Sequence, residues 1–375
     1  MTSGARSGLG WALRLSAAAA AGAAFALALF VGLYIAAFPP APGLSYREAL
    51  LYDAPGPRLI VEAGSGSLYG LDVAALGRSL NRVGIIVADN GGFNLQHKAW
   101  RLLAHARPGD AVVMPLEWTF YEQPDALTDT YVMLGVPLYP SYFRSIPLRE
   151  KLRILAATPL SSAVPALWAN LGARLPGRDR PRRQLALDRF AELVALGSEG
   201  RQEPQWIPER SLRPEAARQS CAEYLFSLRV PNRPPPDREG LRRVLSILAQ
   251  ARARGVSVVF VPPVVAGDDC YARAAGLAPR LAEIRAILAE RGFDYLGAPT
   301  DFWLPQSRAL DTYYHVDAEA RALATARLLP LLQAAGLRAP GPPGGRISEV
   351  LAGYARRNGL PPPALPPEVG AATTD

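Results

Sequence analysis

Cysteine, lysine and histidine are all scarce in this chain of 375 residues. Its only cysteines are Cys221 and Cys270, its only lysines Lys98 and Lys151, and its histidines are His97, His105 and His315. The cysteines and histidines are too widely separated for the short ligand spacings of a zinc site, so neither a metal nor another cofactor is expected. No apolar run leads into a phosphate-binding Gly-x-x-x-x-Gly-Lys loop or a Gly-x-Gly-x-x-Gly turn, which argues against a nucleotide-binding protein. With lysine almost absent, the formal charge of +8 is an arginine charge. In a chain also rich in Ala, Pro and Gly it reads as compositional bias, and no nucleic-acid motif accompanies it. No internal repeat is visible.

One long apolar run is present. Leu15 to Phe38 are 24 consecutive uncharged residues, preceded by Arg6 and Arg14. That length suits a membrane-spanning helix and exceeds the usual apolar region of a signal peptide, although the small residues at Ile35-Ala-Ala37 leave cleavage open. The positive flank predicts a cytoplasmic N-terminus and an exported remainder, giving a single-pass inner-membrane protein with its main domain in the periplasm. Both cysteines then fall in an oxidising compartment. Pairing them would close a loop of about 50 residues and stabilise by roughly 3–4 kcal/mol; two separate buried thiols are the other reading.

The rest of the chain divides by rhythm. Residues 1–14 are the cytoplasmic segment, 15–38 the anchor and 39–57 a Pro-containing tether. Apolar runs at 58–63, 83–88 and 111–116 alternate with helical patterns at 73–81 and 93–106, the signature of a parallel sheet covered by helices. The rhythm stops over 119–237, which is too long for a bare loop and reads as a helical insertion or lid carrying five arginines between Arg174 and Arg183. It resumes over 238–337, with helices predicted at 239–254, 277–291 and 318–335 and strands at 256–261 and 293–296. A Pro/Gly-rich tail, 338–375, ends the chain.

Ligand sites of an open α/β sheet lie beyond the carboxyl ends of its strands. The first run breaks there into Ala63-Gly64-Ser65-Gly66-Ser67, a turn that lifts a serine beside the free N–H groups of a following helix. Asn90 to Asn94, Glu117 and the loop from Asp301 to His315 sit at other strand ends. His315 follows Asp311 by four positions, so the imidazole has a carboxylate at hand to orient it as a base for a serine hydroxyl. His97 and His105 belong to an outer helix, as surface or packing residues.

Four blocks carry a family resemblance. Gly64-Ser65-Gly66-Ser67-Leu68-Tyr69-Gly70-Leu71-Asp72 resembles the Gly-Ser-Asn-x-x-Phe-Gly-Ile-Asp block of a membrane-anchored bacterial branch of the SGNH/GDSL hydrolase superfamily. Asn90-Gly91-Gly92 is similar to its glycine block. Pro108-Gly109-Asp110 with Pro115-Leu116-Glu117-Trp118, and Asp311-Thr-Tyr-Tyr-His315, resemble its later blocks. The resemblance covers about 58–118 and 240–335. It implies a three-layer flavodoxin-like SGNH fold and ester chemistry on carbohydrate or lipid-linked substrates.

It also implies roles. Ser65 would be the nucleophile with Ser67 as its rival, His315 the base, and Asp311 the orienting carboxylate with Asp301 as its rival. The Ser65 N–H with Gly91 or Gly92 would form the oxyanion hole. The superfamily's asparagine donor after the third strand is replaced by Glu117, so the missing donor falls to Asn90 or Asn94; Ser67, Asn94 and Glu117 would line the site. Two functions follow as expectations. One is a serine esterase or O-acyltransferase acting on an acylated envelope or secreted polysaccharide. The other is a catalytically inactive scaffold or glycan-binding component with envelope protein partners.

Overall fold

The computed structural model describes residues 3–37, 51, 54–88, 91–128, 131–132, 143, 146–158, 161, 164–165, 168, 235–267, 277–341 and 356. Asn90, Cys221 and Cys270, the Arg174–Arg183 cluster, most of the tether and tail, and residues 169–234 of the expected helical insertion lie outside these residues. The chain forms two compact units, Met1–Pro40 with Val132–Pro181, and Ala41–Tyr131 with Arg182–Asp375. The second unit thus takes in both ends, 119–131 and 182–237, of the stretch that the sequence rhythm assigned to the insertion.

In the first unit, α1 (Ser3–Ala37) is a helix of 35 residues. Its stretch from Trp11 to Leu29 is long and apolar enough to cross a membrane. The helix starts well before Leu15 and takes in Arg6 and Arg14, because no proline interrupts Ser3 to Leu15 despite its three glycines.

The second unit is an α/β structure. Strands β1 (Arg58–Val61), β2 (Val83–Ile86), β3 (Ala111–Pro115), β4 (Ser257–Val261) and β6 (Asp294–Tyr295) make one sheet, all parallel, in the order β2-β1-β3-β4-β6. This is the flavodoxin-type order, with its topological switch between β1 and β3. The short β5 (Val265–Ala266) pairs instead with β7 (Trp303–Leu304) in a separate ribbon. That ribbon and two 3-10 turns at Pro299–Phe302 and Gln306–Arg308 occupy stretches too short for periodicity to show, and a five-residue helix, α5 (Trp118–Glu122), lies where the helical insertion was expected to begin.

Side chains alternate across the sheet. Leu59, Val61, Val113 and Val259 face a layer formed by α2 (Gly66–Gly70), α3 (Val73–Ser79) and α9 (Ala318–Ala334). Ile60, Val112, Met114 and Phe260 face α4 (Leu95–His105), α7 (Arg238–Ala253) and α8 (Leu277–Ala289). Each such fully buried side chain contributes about 1.5–3 kcal/mol. Covering both faces is what makes the strands near-continuous apolar runs rather than alternating ones.

The edge of the sheet opposite the strand exits is closed by charge. Arg58, fully buried, sets its guanidinium on Asp110, with Nε 3.0 Å from Oδ1, and donates to the His105 carbonyl at 3.0 Å. Burial, and then the charges of Arg101 and Arg58, push the His105 imidazole down to about 4. An unfolded histidine titrates near 6.5, so between those values the unfolded chain binds the extra proton and stability is lost as pH falls. His105→Gln should remove that component. Urea midpoints measured from pH 7 to pH 4 should fall less steeply for the variant, and parallel curves would contradict the assignment.

Candidate active site

Ser65 leaves the carboxyl end of β1 and stands at the N-cap of α2. A serine there normally folds its hydroxyl back onto the helix's first N–H groups. This one makes no such bond. Its Oγ lies 2.9 Å from Nε2 of His315, and the other ring nitrogen, Nδ1, lies 2.8 Å from Asp311 Oδ1. With the proton on Nδ1 donated to the carboxylate, Nε2 is left to accept the serine hydroxyl. Residues 250 positions apart in sequence are thus joined in one hydrogen-bonded chain.

The loop bearing the histidine is held on three sides. Leu310 N–H donates to the His315 carbonyl at 2.8 Å, and Ala309 and Val316 form an antiparallel bridge, so residues 310–315 close on themselves. Ala266 N–H donates to the Tyr313 carbonyl at 2.8 Å, which hangs the loop from the β5–β7 ribbon. Asp317 caps α9 through Ala320 N–H and pairs with Arg308 at 3.2 Å. The Tyr69 ring from α2 packs on the imidazole, centroids 4.2 Å apart. Burial lowers the His315 pKa below its ordinary value, and the adjacent Asp311 carboxylate only partly offsets this. The ring is therefore neutral, as a base must be, at neutral pH.

The two rivals have other tasks. Ser67 is turned into the core at 3% exposure, its hydroxyl without a hydrogen-bond partner among the described residues. Asp301 accepts the Ala298 N–H at 2.7 Å and so closes the 3-10 turn.

Glu117 requires a correction. As a carboxylate in an asparagine's place it reads as a repulsive group facing an oxyanion, but its oxygens face backbone donors. Oε2 accepts the Gly64 N–H and Oε1 the Gly66 N–H, each at 3.0 Å, so one side chain from the end of β3 clamps the turn on both sides of Ser65. The clamp also explains the two glycines. A Cβ on Gly64 would lie 2.5 Å from Glu117 Oε1, and one on Gly66 would lie 2.8 Å from the same oxygen. Only hydrogen fits there. Burial raises the Glu117 pKa, against the lowering effects of its own backbone bond, the Lys98 charge and the two glycine N–H groups.

Behind this clamp lies a buried charge cluster that sequence reading missed. Glu62 sits one residue beyond β1 and is fully buried. It receives Arg101 Nη2 at 2.7 Å on Oε1 and Nε at 3.0 Å on Oε2, and Lys98 Nζ lies 3.7 Å away. The available signal was a carboxylate ending an apolar run, with two cations three positions apart on the facing helix.

Asn94 is also reassigned. Its Oδ1 caps α4 at the His97 N–H, 2.8 Å, and its amide nitrogen donates to the Ala126 carbonyl, 3.0 Å, so the side chain is committed to the fold rather than offered as an oxyanion donor. Gly91 and Gly92 form the turn after β2; Gly91 has open space above its Cα, while the Gly92 carbonyl accepts the Thr128 hydroxyl at 2.8 Å. Among the described residues no acceptor takes the Ser65 N–H, which leaves that group available to an incoming oxygen. His97 is fully buried between the rings of Phe93 and Tyr131, a packing residue. No cluster of His, Cys, Asp or Glu suited to a metal ion occurs among the described residues.

A hydroxyl, a neutral imidazole and a carboxylate in this order can pass a proton from the hydroxyl to the ring while the carboxylate stabilises the resulting imidazolium. No family model, no curated protein and no solved structure matches this chain.

Proposed function

We propose that this chain is a serine acyl-transfer enzyme of SGNH type, held at the inner membrane by α1 with its α/β unit in the periplasm. It takes an acyl group from an ester of an envelope or secreted polysaccharide and passes it to water or to another sugar hydroxyl. The observation that carries this reading is the Ser65–His315–Asp311 chain, with distances of 2.9 and 2.8 Å. Its position at the carboxyl end of β1, beside the topological switch, is where ligand chemistry occurs in sheets of this order.

In the first step Ser65 Oγ bonds to the ester carbonyl carbon while its proton passes to His315 Nε2. The carbonyl oxygen, now an anion, faces the Ser65 N–H, with the Gly91–Gly92 turn as the source of a second donor. The carbon–oxygen bond to the leaving sugar breaks, that sugar oxygen takes the proton from His315, and acyl-Ser65 remains. Water or an acceptor hydroxyl then gives its proton to His315 and attacks the acyl carbon. The bond to Ser65 breaks and Oγ recovers the proton. Hydrolase and transferase differ only in the second nucleophile.

The alternative, a non-catalytic scaffold of the same architecture, is favoured by one observation: no asparagine amide among the described residues is offered as a further oxyanion donor, since Asn94 donates to the Ala126 carbonyl and Asn81 to the Ala339 carbonyl. A serine-reactive fluorophosphonate separates the two. Mass spectrometry should find one covalent adduct on Ser65, lost in Ser65→Ala. An unlabelled protein, or labelling elsewhere that survives the substitution, would exclude the enzyme.

A further inference from the structure

Residues 132–181 group with the N-terminal helix in one compact unit, apart from the α/β unit. Within them, α6 (Leu148–Ala156) is a nine-residue amphipathic helix with an unusual polarity. Its buried face is small, centred on Ile154 at 3% exposure. Leu148, Leu152 and Leu155 follow at i, i+4 and i+7 and so share one stripe on a different face from Ile154, with Leu155 half-buried. Leu148 is 70% exposed and Leu152 48%.

Cations flank that stripe. Arg149 is exposed on one border, and Lys151, half-buried, stands on the other with its ammonium 5.9 Å from the centre of the Phe143 ring. The single carboxylate of the helix, Glu150, is set away from the leucines and pairs with Arg153 at 3.7 Å. Farther along the same unit Val164 and Trp168 are also exposed, the indole at 70%. Single apolar side chains in water are ordinary; a leucine stripe bordered by cations, with an indole in the same unit, is not.

We infer that α6, together with Val164 and Trp168, is a membrane-apposed face that lies on an anionic lipid surface, its leucines among the acyl chains and its border cations at the phosphates. Three features select lipid over other occupants. The unit that carries the stripe also contains α1, the helix apolar enough to span a bilayer, so a membrane that holds α1 is within reach of this unit. The border charges are cationic, which suits anionic headgroups. The exposed indole is of the type that collects at the boundary between acyl chains and headgroups. The inference rests on α1 acting as an anchor and is independent of any chemistry at Ser65.

The full-length chain, reconstituted in phosphatidylcholine vesicles with and without phosphatidylglycerol, tests it. A photoreactive benzophenone amino acid replaces Leu152 in one preparation and Leu323, an exposed leucine of the α/β unit, in the other. Irradiation should give several-fold more lipid adducts at position 152 than at 323, with a further gain from phosphatidylglycerol that Arg149→Gln with Lys151→Gln abolishes. Equal yields at the two positions would overturn the proposal, as would a cross-link from 152 to a second copy of the chain. Alkaline carbonate extraction separates the causes of failure: a chain released from the vesicles refutes the anchor and the face together, and one retained without adducts at 152 refutes the face alone.

Discussion

Ser65→Ala and His315→Ala should each lower the rate of acetyl-ester hydrolysis by about a thousandfold or more, and the double variant should be no slower than either single one. The reason is that the two side chains act as a unit. Without Oγ there is no attacking atom, and without Nε2 the hydroxyl attacks as a poor nucleophile that must release its proton to water. Residual activity then comes from binding and from backbone donors alone, which neither change removes. Steady-state rates on an activated acetyl ester check this, with thermal midpoints to confirm that the variants fold. Two losses that multiply in the double variant would contradict a shared proton path. So would a Ser65→Ala protein that keeps a tenth of the parent activity.

Glu117→Ala should be the most damaging substitution outside the hydrogen-bonded chain itself. It leaves the Gly64 and Gly66 N–H groups buried without partners, at about 1–3 kcal/mol for each unsatisfied donor, and it frees the turn that aims Ser65 at His315. A misplacement of about 1 Å can cost a hundredfold in rate. The expected outcome is therefore a kcat lower by about tenfold to a hundredfold with KM changed much less, accompanied by a lower thermal midpoint. Glu117→Gln separates geometry from bulk. It retains one carbonyl acceptor but turns an NH2 group towards the other glycine N–H, so its kcat should lie between that of Ala and the parent. If Gln restored the thermal midpoint while kcat stayed at the alanine level, the Glu117 carboxyl group would have a role beyond clamping. If Ala left kcat untouched, the clamp would be irrelevant to Ser65.

Much of the architecture was readable in advance because it depends on local composition. Parallel strands buried on both faces must be short apolar runs, and the runs at 58–63, 83–88 and 111–116 each contain an observed strand that ends one or two residues earlier. The final turns belong to the strand exits, where apolar residues such as Ala63 and Leu116 stay buried without sheet hydrogen bonds. Asp311 and His315 were legible through their spacing just before a helix, and Ser65 through the small residues around it.

Other features depended on the partner across space. Ser65 and Ser67 are chemically alike and two positions apart; only the turn's conformation directs the first at His315 and the second into the core. Glu117 was legible as a departure from asparagine, but its consequence was not, since whether a carboxylate repels an oxyanion or clamps a turn depends on which dipoles surround it. The Glu62, Lys98 and Arg101 cluster was hidden for the same reason, because charge in a sequence window reads as solvent exposure. Asn94 was indistinguishable from an oxyanion donor until its helix began at Leu95. By itself, then, the sequence determined the strands of the main sheet, the longer helices of the α/β unit, the apolar N-terminal helix and the residue types at the strand exits, all set by short-range pattern and burial. The tertiary structure decided the strand order, which serine meets the imidazole, and what each buried charge faces, because those depend on groups that chain folding alone brings within hydrogen-bond distance.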